Sequence, residues 1–169
     1  LNVDVLFLPD EKEMYVKVPD VEIPASNLFE KLEGESRPHF FYGVTTIVAK
    51  LFNAVQPTHA FFGQKDAQQL FVVRKLVEDM NYNINIIDCP TIRCHNGLAM
   101  SSRNRYLDGN QRKTSSAIYK TLLEAVRHLR SGAKTVEDIE SLGIESLAGF
   151  GMKVEYFSVR RQQDLLPPD

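Results

Sequence analysis

Between Gly43 and Pro90 the apolar residues change period three times, and that alternation restricts the fold more than any other feature of the chain. Val44, Ile47, Val48, Leu51, Phe52 and Val55 follow the i, i+3, i+4, i+7 rule, which predicts a helix with one broad apolar stripe, stopped by Pro57. His59-Ala60-Phe61-Phe62 then reads as a strand ending at Gly63. From Lys65 onward Ala67, Leu70, Val73, Val77 and Met80 mark a second helical face, and Ile84, Ile86 and Ile87 a further strand that ends at Cys89-Pro90. Strands alternating with helices in this way are the signature of a parallel sheet. Upstream, Val3-Asp4-Val5-Leu6-Phe7-Leu8, ended by Pro9-Asp10, has the pattern of a buried central strand. Residues 9–42 read as an irregular excursion, marked by Pro19, Pro24 and the charged stretch Glu30 to Arg37, with one short helix near Asn27 to Leu32.

The pattern changes after Tyr106. Asp108 is a plausible N-cap for a long helix carrying Ile118, Leu122, Ala125, Val126 and Leu129 on one face and closed by Gly132. Thr135 with Asp138 three residues on predicts a capping box at the head of another helix that runs toward Leu147. Val154 to Val159 alternates weakly, as an edge strand does. The reading is α/β: residues 1–106 as a partial Rossmann-like parallel sheet, and residues 107–169 as a small α+β domain.

Composition narrows the functions open to such a chain. With 169 residues, 43% hydrophobic and 25% charged, it is of ordinary globular type. Its apolar runs fall far below the roughly 20 residues of a membrane helix. Lys and Arg total 20 against 22 Asp and Glu, so a net charge of −2 supplies no general attraction to nucleic acid or to an anionic membrane. Any anion must be held locally. Cys89 and Cys94 lack partners at zinc-site spacing, so no metal ligands are assigned and a reducing, cytoplasmic location is expected. The start at Leu1-Asn2-Val3, without Met, basic stretch or signal-type segment, suggests a chain that begins mid-sequence or is processed.

Three segments carry candidate chemistry. Phe62-Gly63-Gln64-Lys65-Asp66-Ala67-Gln68-Gln69 lies where a strand turns into a helix, the place where α/β sheets bind ligands because strand ends and helix starts direct free N–H groups at an anion. There Gly63 permits close backbone approach, Lys65 offers a point charge and Gln69 follows one turn later; the plain alternative is a turn with a solvated lysine. Asn96 to Asn104 places Ser101, Ser102 and Arg103 in succession, two hydroxyls and a planar donor fork suited to a polyphosphate, although a polar surface loop has the same composition. Glu33 to Gly43 contains Arg37, which either clamps an anion or pairs with Glu33 or Glu35, and His39, a residue more often structural than catalytic when it stands alone.

Taken in order, Leu-Glu-Gly-Glu-Ser-Arg-Pro (32–38), Gly-Val-Thr-Thr-Ile-Val-Ala-Lys-Leu-Phe-Asn (43–53), Phe-Gly-Gln-Lys-Asp-Ala-Gln-Gln-Leu (62–70) and Gly-Leu-Ala-Met-Ser-Ser-Arg-Asn-Arg-Tyr-Leu (97–107) resemble the pantothenate synthetase family, the pantoate β-alanine ligases, across the whole chain. The resemblance implies a two-step reaction. Pantoate and ATP give pantoyl adenylate and pyrophosphate, and the amine of β-alanine then displaces AMP, with Mg²⁺ accompanying the phosphates. It further implies that Gly63, Gln64, Lys65, Asp66, Ile92, Met100, Ser101, Ser102 and Arg103 line an ATP site, that Lys65, Ser101, Ser102 and Arg103 are the catalytic members, and that Gln69 holds pantoate. Arg37 and His39 are supporting candidates, and a homodimer is expected.

Two departures bear on this. The family carries a His-x-Gly-His type motif near its start, a spacing that histidines 39, 59, 95 and 128 do not form, so the chain reads as the later two-thirds of the family's sequence and is expected to be inactive by itself. Where the family has Ser-Arg-Pro-Gly-His-Phe-Arg-Gly, this chain has Ser36-Arg37-Pro38-His39-Phe40-Phe41-Tyr42-Gly43, with the histidine shifted by one. Two alternatives stand beside the ligase reading. One is a noncatalytic nucleotide-binding or interaction module, and the other is a different adenylate-forming enzyme, since Met-Ser-Ser-Arg loosely resembles the phosphate loops of nucleotidyltransferases and tRNA synthetases.

Overall fold

The computed structural model describes residues 2–17 and 27–168. Pro19 and Pro24, read above as marks of an irregular excursion, lie outside the described residues. The chain divides into two compact units, Leu1–Phe62 with Ala67–Asp88, and Gly63–Asp66 with Cys89–Asp169.

In the first unit a short helix α1 (Glu11–Met14) is followed by a 3₁₀ turn, Asn27–Glu30, by α2 (Glu33–Ser36) and by the long α3 (Phe40–Val55). The short helix expected near Asn27 to Leu32 is the single 3₁₀ turn Asn27–Glu30, and α2 follows it as a separate turn. Strand β1 (His59–Gly63), helix α4 (Ala67–Asp79) and strand β2 (Asn85–Cys89) then complete a βαβ unit whose two strands lie parallel. The fold class is α/β, as the alternating periods predict.

The stripe read from Val44 to Val55 contributes Val48, Ala49 and Phe52 to a core with Val73 and Leu76 of α4, and Ala60, Phe62, Ile84 and Ile86 of the strand segments pack against it. Phe52 meets Phe62 and Tyr82 edge-on, at centroid separations of 6.4 and 5.8 Å, the arrangement aromatic quadrupoles favour. An ion pair from Arg74 to Asp88 ties α4 to the second strand.

α3 begins three residues before Gly43 because Phe41 is drawn into a second cluster with Phe29 and Val72. The segment Val3 to Leu8 is not a strand: Val5 and Leu8 are 84% and 81% exposed. A strand needs a neighbour to accept its backbone hydrogen bonds, and among the described residues β1 and β2 pair only with each other.

In the second unit the single long helix expected after Asp108 is two helices, α5 (Gly109–Thr114) and α6 (Ser116–Ser131). Asp108 does cap, with Oδ1 accepting from the N–H groups of Asn110 and Gln111 at 2.8 Å. The break follows from the two serines at the junction. Their hydroxyls bond back to the carbonyls of Arg112 (3.1 Å) and Lys113 (2.7 Å), a local competition with the helical ladder. Gly132 closes α6, and Thr135 caps α7 (Val136–Gly149) by accepting from the Asp138 N–H at 3.1 Å.

The stripe read on α6 is only partly buried. Ala117, Thr121 and Ala125 face inward, while Ile118, Leu122, Val126 and Leu129 remain about two-fifths exposed. Small residues are what let α6 lie against Ile139 and Leu147 of α7. Residues 154–159 form no strand either. Phe157 is buried in the α6–α7 cluster, and Glu140 Oε1 accepts from the Val159 N–H and from Arg160 Nη1, both at 2.6 Å, which fixes the segment to α7 through side chains rather than a ladder.

Gly143 decides how closely Phe157 approaches. A Cβ there would lie 2.4 Å from Phe157 Cδ1. Helix propensity favours Gly143→Ala by about 1 kcal/mol. Displacing a buried ring costs about 1–3 kcal/mol, so the clash wins. Gly143→Ala is expected to lower the urea midpoint, and Phe157→Leu in the same chain to recover part of it; a raised midpoint for Gly143→Ala alone is the contrary result.

Candidate active site

Gly63 ends β1, and Gln64–Asp66 form a single 3₁₀ turn before α4 begins at Ala67. All four residues from Gly63 to Asp66 are exposed, and nothing occupies the space beside Gly63. Lys65 Nζ lies 3.1 Å from Asp66 Oδ1, a contact between sequence neighbours at the surface. The ammonium is thus held near the turn while remaining open to a stronger anion.

Of the two glutamines in the first turn of α4, one is structural. Gln68 Oε1 accepts from the Glu33 N–H at 3.1 Å and its Nε2 donates to the Lys31 carbonyl at 2.9 Å, which secures residues 31–33. Gln69 is half-buried, and no such bond engages its side chain among the described residues.

The second segment is built on a small hairpin. Met100 N–H donates to the Ile92 carbonyl and Cys94 N–H to the Leu98 carbonyl, both at 2.8 Å, and Arg93 bridges Ala99 in antiparallel fashion. Cys94 to Gly97 make the turn, closed by Gly97 N–H to the Cys94 carbonyl at 2.8 Å, and Gly97 takes φ +90°. Leaving the hairpin, Ser101 caps a 3₁₀ turn, Ser102–Tyr106, its Oγ accepting from the Arg103 N–H at 3.2 Å. Ser101 therefore uses an oxygen lone pair on its own backbone and keeps its hydroxyl proton to donate. Ser102 and Arg103 are exposed, as are Ile92 and Met100. Asn104 donates to the Ala99 carbonyl at 2.9 Å, and its own carbonyl accepts from Arg112 Nη2 at 2.7 Å.

Gly63–Asp66, Ile92 and Met100–Arg103 lie in the same compact unit, although more than one element of the sequence separates them. Gln69, Arg37 and His39 belong to the other unit. There Arg37 Nη1 pairs with Glu33 Oε1 at 3.1 Å and its guanidinium lies 5.8 Å from the Phe40 ring centroid. His39 is exposed, adopts φ +67° at the head of α3 and has its ring 5.8 Å from that of Tyr42. The shifted histidine is thus the turn residue that introduces α3, and the residue that sinks into the core is Phe41.

The family model for pantoate-beta-alanine ligase matches residues 1–169. The chain belongs to the pantoate-beta-alanine ligase family. Within that family it is 44% identical to the pantothenate synthetase of Methylococcus capsulatus over 98% of this chain and 58% of the relative, and 41% identical to that of Fervidobacterium nodosum over 99% and 60%. The crystal structure of pantothenate synthetase from Thermus thermophilus superposes with a TM-score of 0.92 at 37% identity, covering 99% of this chain and 61% of that one. A pantoate-beta-alanine ligase from Francisella tularensis, solved with β,γ-ATP and β-alanine, matches with a TM-score of 0.79 at 32% identity, over 94% of this chain and 57% of its own. The chain therefore spans about 60% of the length of the family members it matches.

Residue-type reading missed the groups that hold the hairpin of this family member in place: Arg93, Asn96, Asn104, Arg112 and Tyr119. One signal was available. Asn96-Gly97 is a turn dipeptide between apolar flanks, the strongest short-range mark of a hairpin. No helix of the described residues is long and apolar enough to cross a membrane.

Proposed function

We propose that this chain supplies the later part of the active site of an ATP-dependent ligase that joins pantoate to β-alanine. In this reading a carboxylate oxygen of pantoate attacks the α-phosphorus of ATP and pyrophosphate leaves, giving pantoyl adenylate. The amine of β-alanine then attacks the acyl carbon, AMP departs with the bonding electrons and the amine loses a proton as the amide forms. The observation that carries this reading is the presence, in one compact unit, of two segments rich in anion-binding donors, Gly63–Asp66 and Met100–Arg103, exposed at every residue but the half-buried Ser101.

The roles follow from the donors. Lys65 meets phosphate oxygens as a point charge, Arg103 as a planar fork, and Ser101 and Ser102 with hydroxyl protons, so charge developing on the α-phosphoryl group and its leaving pyrophosphate is met by groups already in place. Gly63, Gln64, Asp66, Ile92 and Met100 complete the ATP wall, Gln69 binds pantoate, and Arg37 with His39 supports the anion. Mg²⁺ keeps several waters and is usually bound through substrate phosphates and one or two carboxylates. Among the described residues no group of three or more His, Cys, Asp or Glu is arranged to hold an ion, and Asp66 is the carboxylate in the turn, which fits a cation brought by the nucleotide.

The same reading makes residues 1–106 the nucleotide and pantoate part and 107–169 a small α+β domain, and gives the whole ligase a cytoplasmic homodimeric form. It assigns adenylation to the complete protein, because the chain spans about 60% of the relatives' length and lacks the spaced histidines.

MgATP titration and pyrophosphate release, each with and without pantoate, test this on the chain alone and on a complete protein containing it. ATP binding by the chain without release is expected, together with pantoate-dependent release by the complete protein. Absence of ATP binding by both, or release that ignores pantoate, overturns the ligase reading. Gln69→Ala in the complete protein is expected to cut pantoate-dependent release roughly tenfold or more while ATP affinity stays within about twofold, the pattern of a lost polar contact to one substrate.

A further inference from the structure

Arg93 and Tyr119 lie outside the segments assigned above to substrates, yet they meet at the root of the Met100–Arg103 segment. The Arg93 guanidinium carbon sits 3.8 Å from the centroid of the Tyr119 ring, a close cation–π stack, and its Nη1 donates to the Gly97 carbonyl at 3.2 Å. The Tyr119 ring in turn lies against the Gly97 backbone: a Cβ added to Gly97 would stand 3.0 Å from Tyr119 Cδ1. Three residues from the hairpin arm, its turn and α6 thus touch one another.

The geometry supports a specific consequence. Arg93 bridges Ala99 across the hairpin, and Ala99 directly precedes Met100, so whatever fixes the height and twist of the Gly97 turn fixes the direction in which residues 100–103 leave it. A second tether works from α5, where the Arg112 carbonyl accepts from Asn96 Nδ2 at 3.3 Å while its guanidinium holds the Asn104 carbonyl at the far end of the same segment. Both ends of the loop are anchored to the helical part of the second unit, while Ser102 and Arg103 between them stay exposed and Ser101 is half-buried. Donors held in place before an anion arrives do not lose conformational freedom on binding it.

We propose that Arg93 and Tyr119 are positioning residues that pre-set the Met100–Arg103 segment to receive a nucleotide's phosphate chain, a role that rests on the ATP reading of that segment. The clamp acts through its ring and its fork. Tyr119→Leu, which removes the ring face, is expected to speed amide exchange across residues 97–104 and to weaken ATP binding by the chain roughly tenfold, within the range of a half-buried cation–π contact. Tyr119→Phe keeps the ring and is expected to hold both quantities within about twofold. Arg93→Lys keeps the charge but not the two-point grip, and is expected to fall between the two.

Exchange at the α7 amides, measured in the same samples, reports whether the unit is otherwise folded. Should Tyr119→Leu unfold it, Arg93→Lys and Gly97→Ala, which strains a φ of +90°, disturb the same contact from the other side. The proposal is overturned if folded variants leave loop exchange and ATP affinity unchanged, or if Tyr119→Phe is as damaging as Tyr119→Leu. If the unaltered chain binds no ATP while loop exchange still responds to Tyr119→Leu, the nucleotide reading fails and the clamp survives only as a structural device; if ATP binds and the variants do nothing, the clamp alone fails.

Discussion

Lys65→Ala in a complete ligase is expected to lower pantoate-dependent pyrophosphate release by about a hundred- to a thousandfold, the range found when one preorganised charge-stabilising donor is removed from a reacting centre. The same substitution is expected to move the unfolding midpoint by no more than about 2 °C. Its side chain is 38% exposed, and its ionic partner is the neighbouring Asp66, itself 60% exposed. Ion pairs of that kind contribute about 0–1 kcal/mol at most. Function and fold therefore separate cleanly at this residue, and steady-state kinetics beside a thermal scan check both halves. A fall in midpoint that accounts for the whole loss, with activity per folded molecule unchanged, overturns the assignment of Lys65 to the reacting phosphates. Lys65→Arg adds a finer test: if the lysine acts as a compact point charge in a narrow turn, the bulkier planar fork restores only part of the rate.

The helix starts and the βαβ run are legible in the sequence, because local rules are strongest there. Thr135 with Asp138 and Asp108 with its following amides announce helix starts through bonds that span three residues, and the structure contains both. The β1–α4–β2 run was equally plain, since period and length alone distinguish its parts. What escaped was whatever depends on a partner far along the chain. Val3 to Leu8 and Val154 to Val159 have strand-like composition, but composition provides no neighbouring ladder. On α6 the large residues Ile118, Leu122 and Leu129 suggest the buried face, whereas packing against Ile139 and Leu147 of α7 selects the small side chains Ala117 and Ala125, with Thr121 buried beside them. Within the candidate site, residue types identify Ser101, Ser102 and Arg103 as donors. That Ser101 also caps its own turn, and that Arg93 stacks on a tyrosine from α6, are consequences of tertiary placement with no periodic trace in the sequence.

The altered stretch Arg37 to Gly43 is where the second large effect is expected. Phe41 is 1% exposed, with its ring 5.8 Å from Phe29 and 5.1 Å from Phe40, and it shares a cluster with the fully buried Val72 of α4. Thr45, itself buried, donates from Oγ1 to the Phe41 carbonyl at 3.0 Å, so the backbone at this point is secured as well. Phe41→Ala is expected to cost about 3–5 kcal/mol, the transfer of a large ring plus the cavity left behind. That is a sizeable share of a typical domain's 5–15 kcal/mol. Phe40→Ala, at a half-buried ring, is expected to cost clearly less, and Phe41→Leu to recover much of the loss. Amide exchange locates the damage: protection should fall first in α2 and the start of α3, since Phe29 and Phe41 hold that part of the chain onto α4. Arg37→Ala supplies the contrast. Its pair with the half-buried Glu33 is an i, i+4 contact at the surface worth about 0.5 kcal/mol, so stability should scarcely change, and any loss of ATP affinity is then a direct effect of the missing cation. If Phe41→Ala leaves the midpoint unmoved, Phe41 is not the anchor of this turn, and the shift of the histidine to position 39 needs another structural cause.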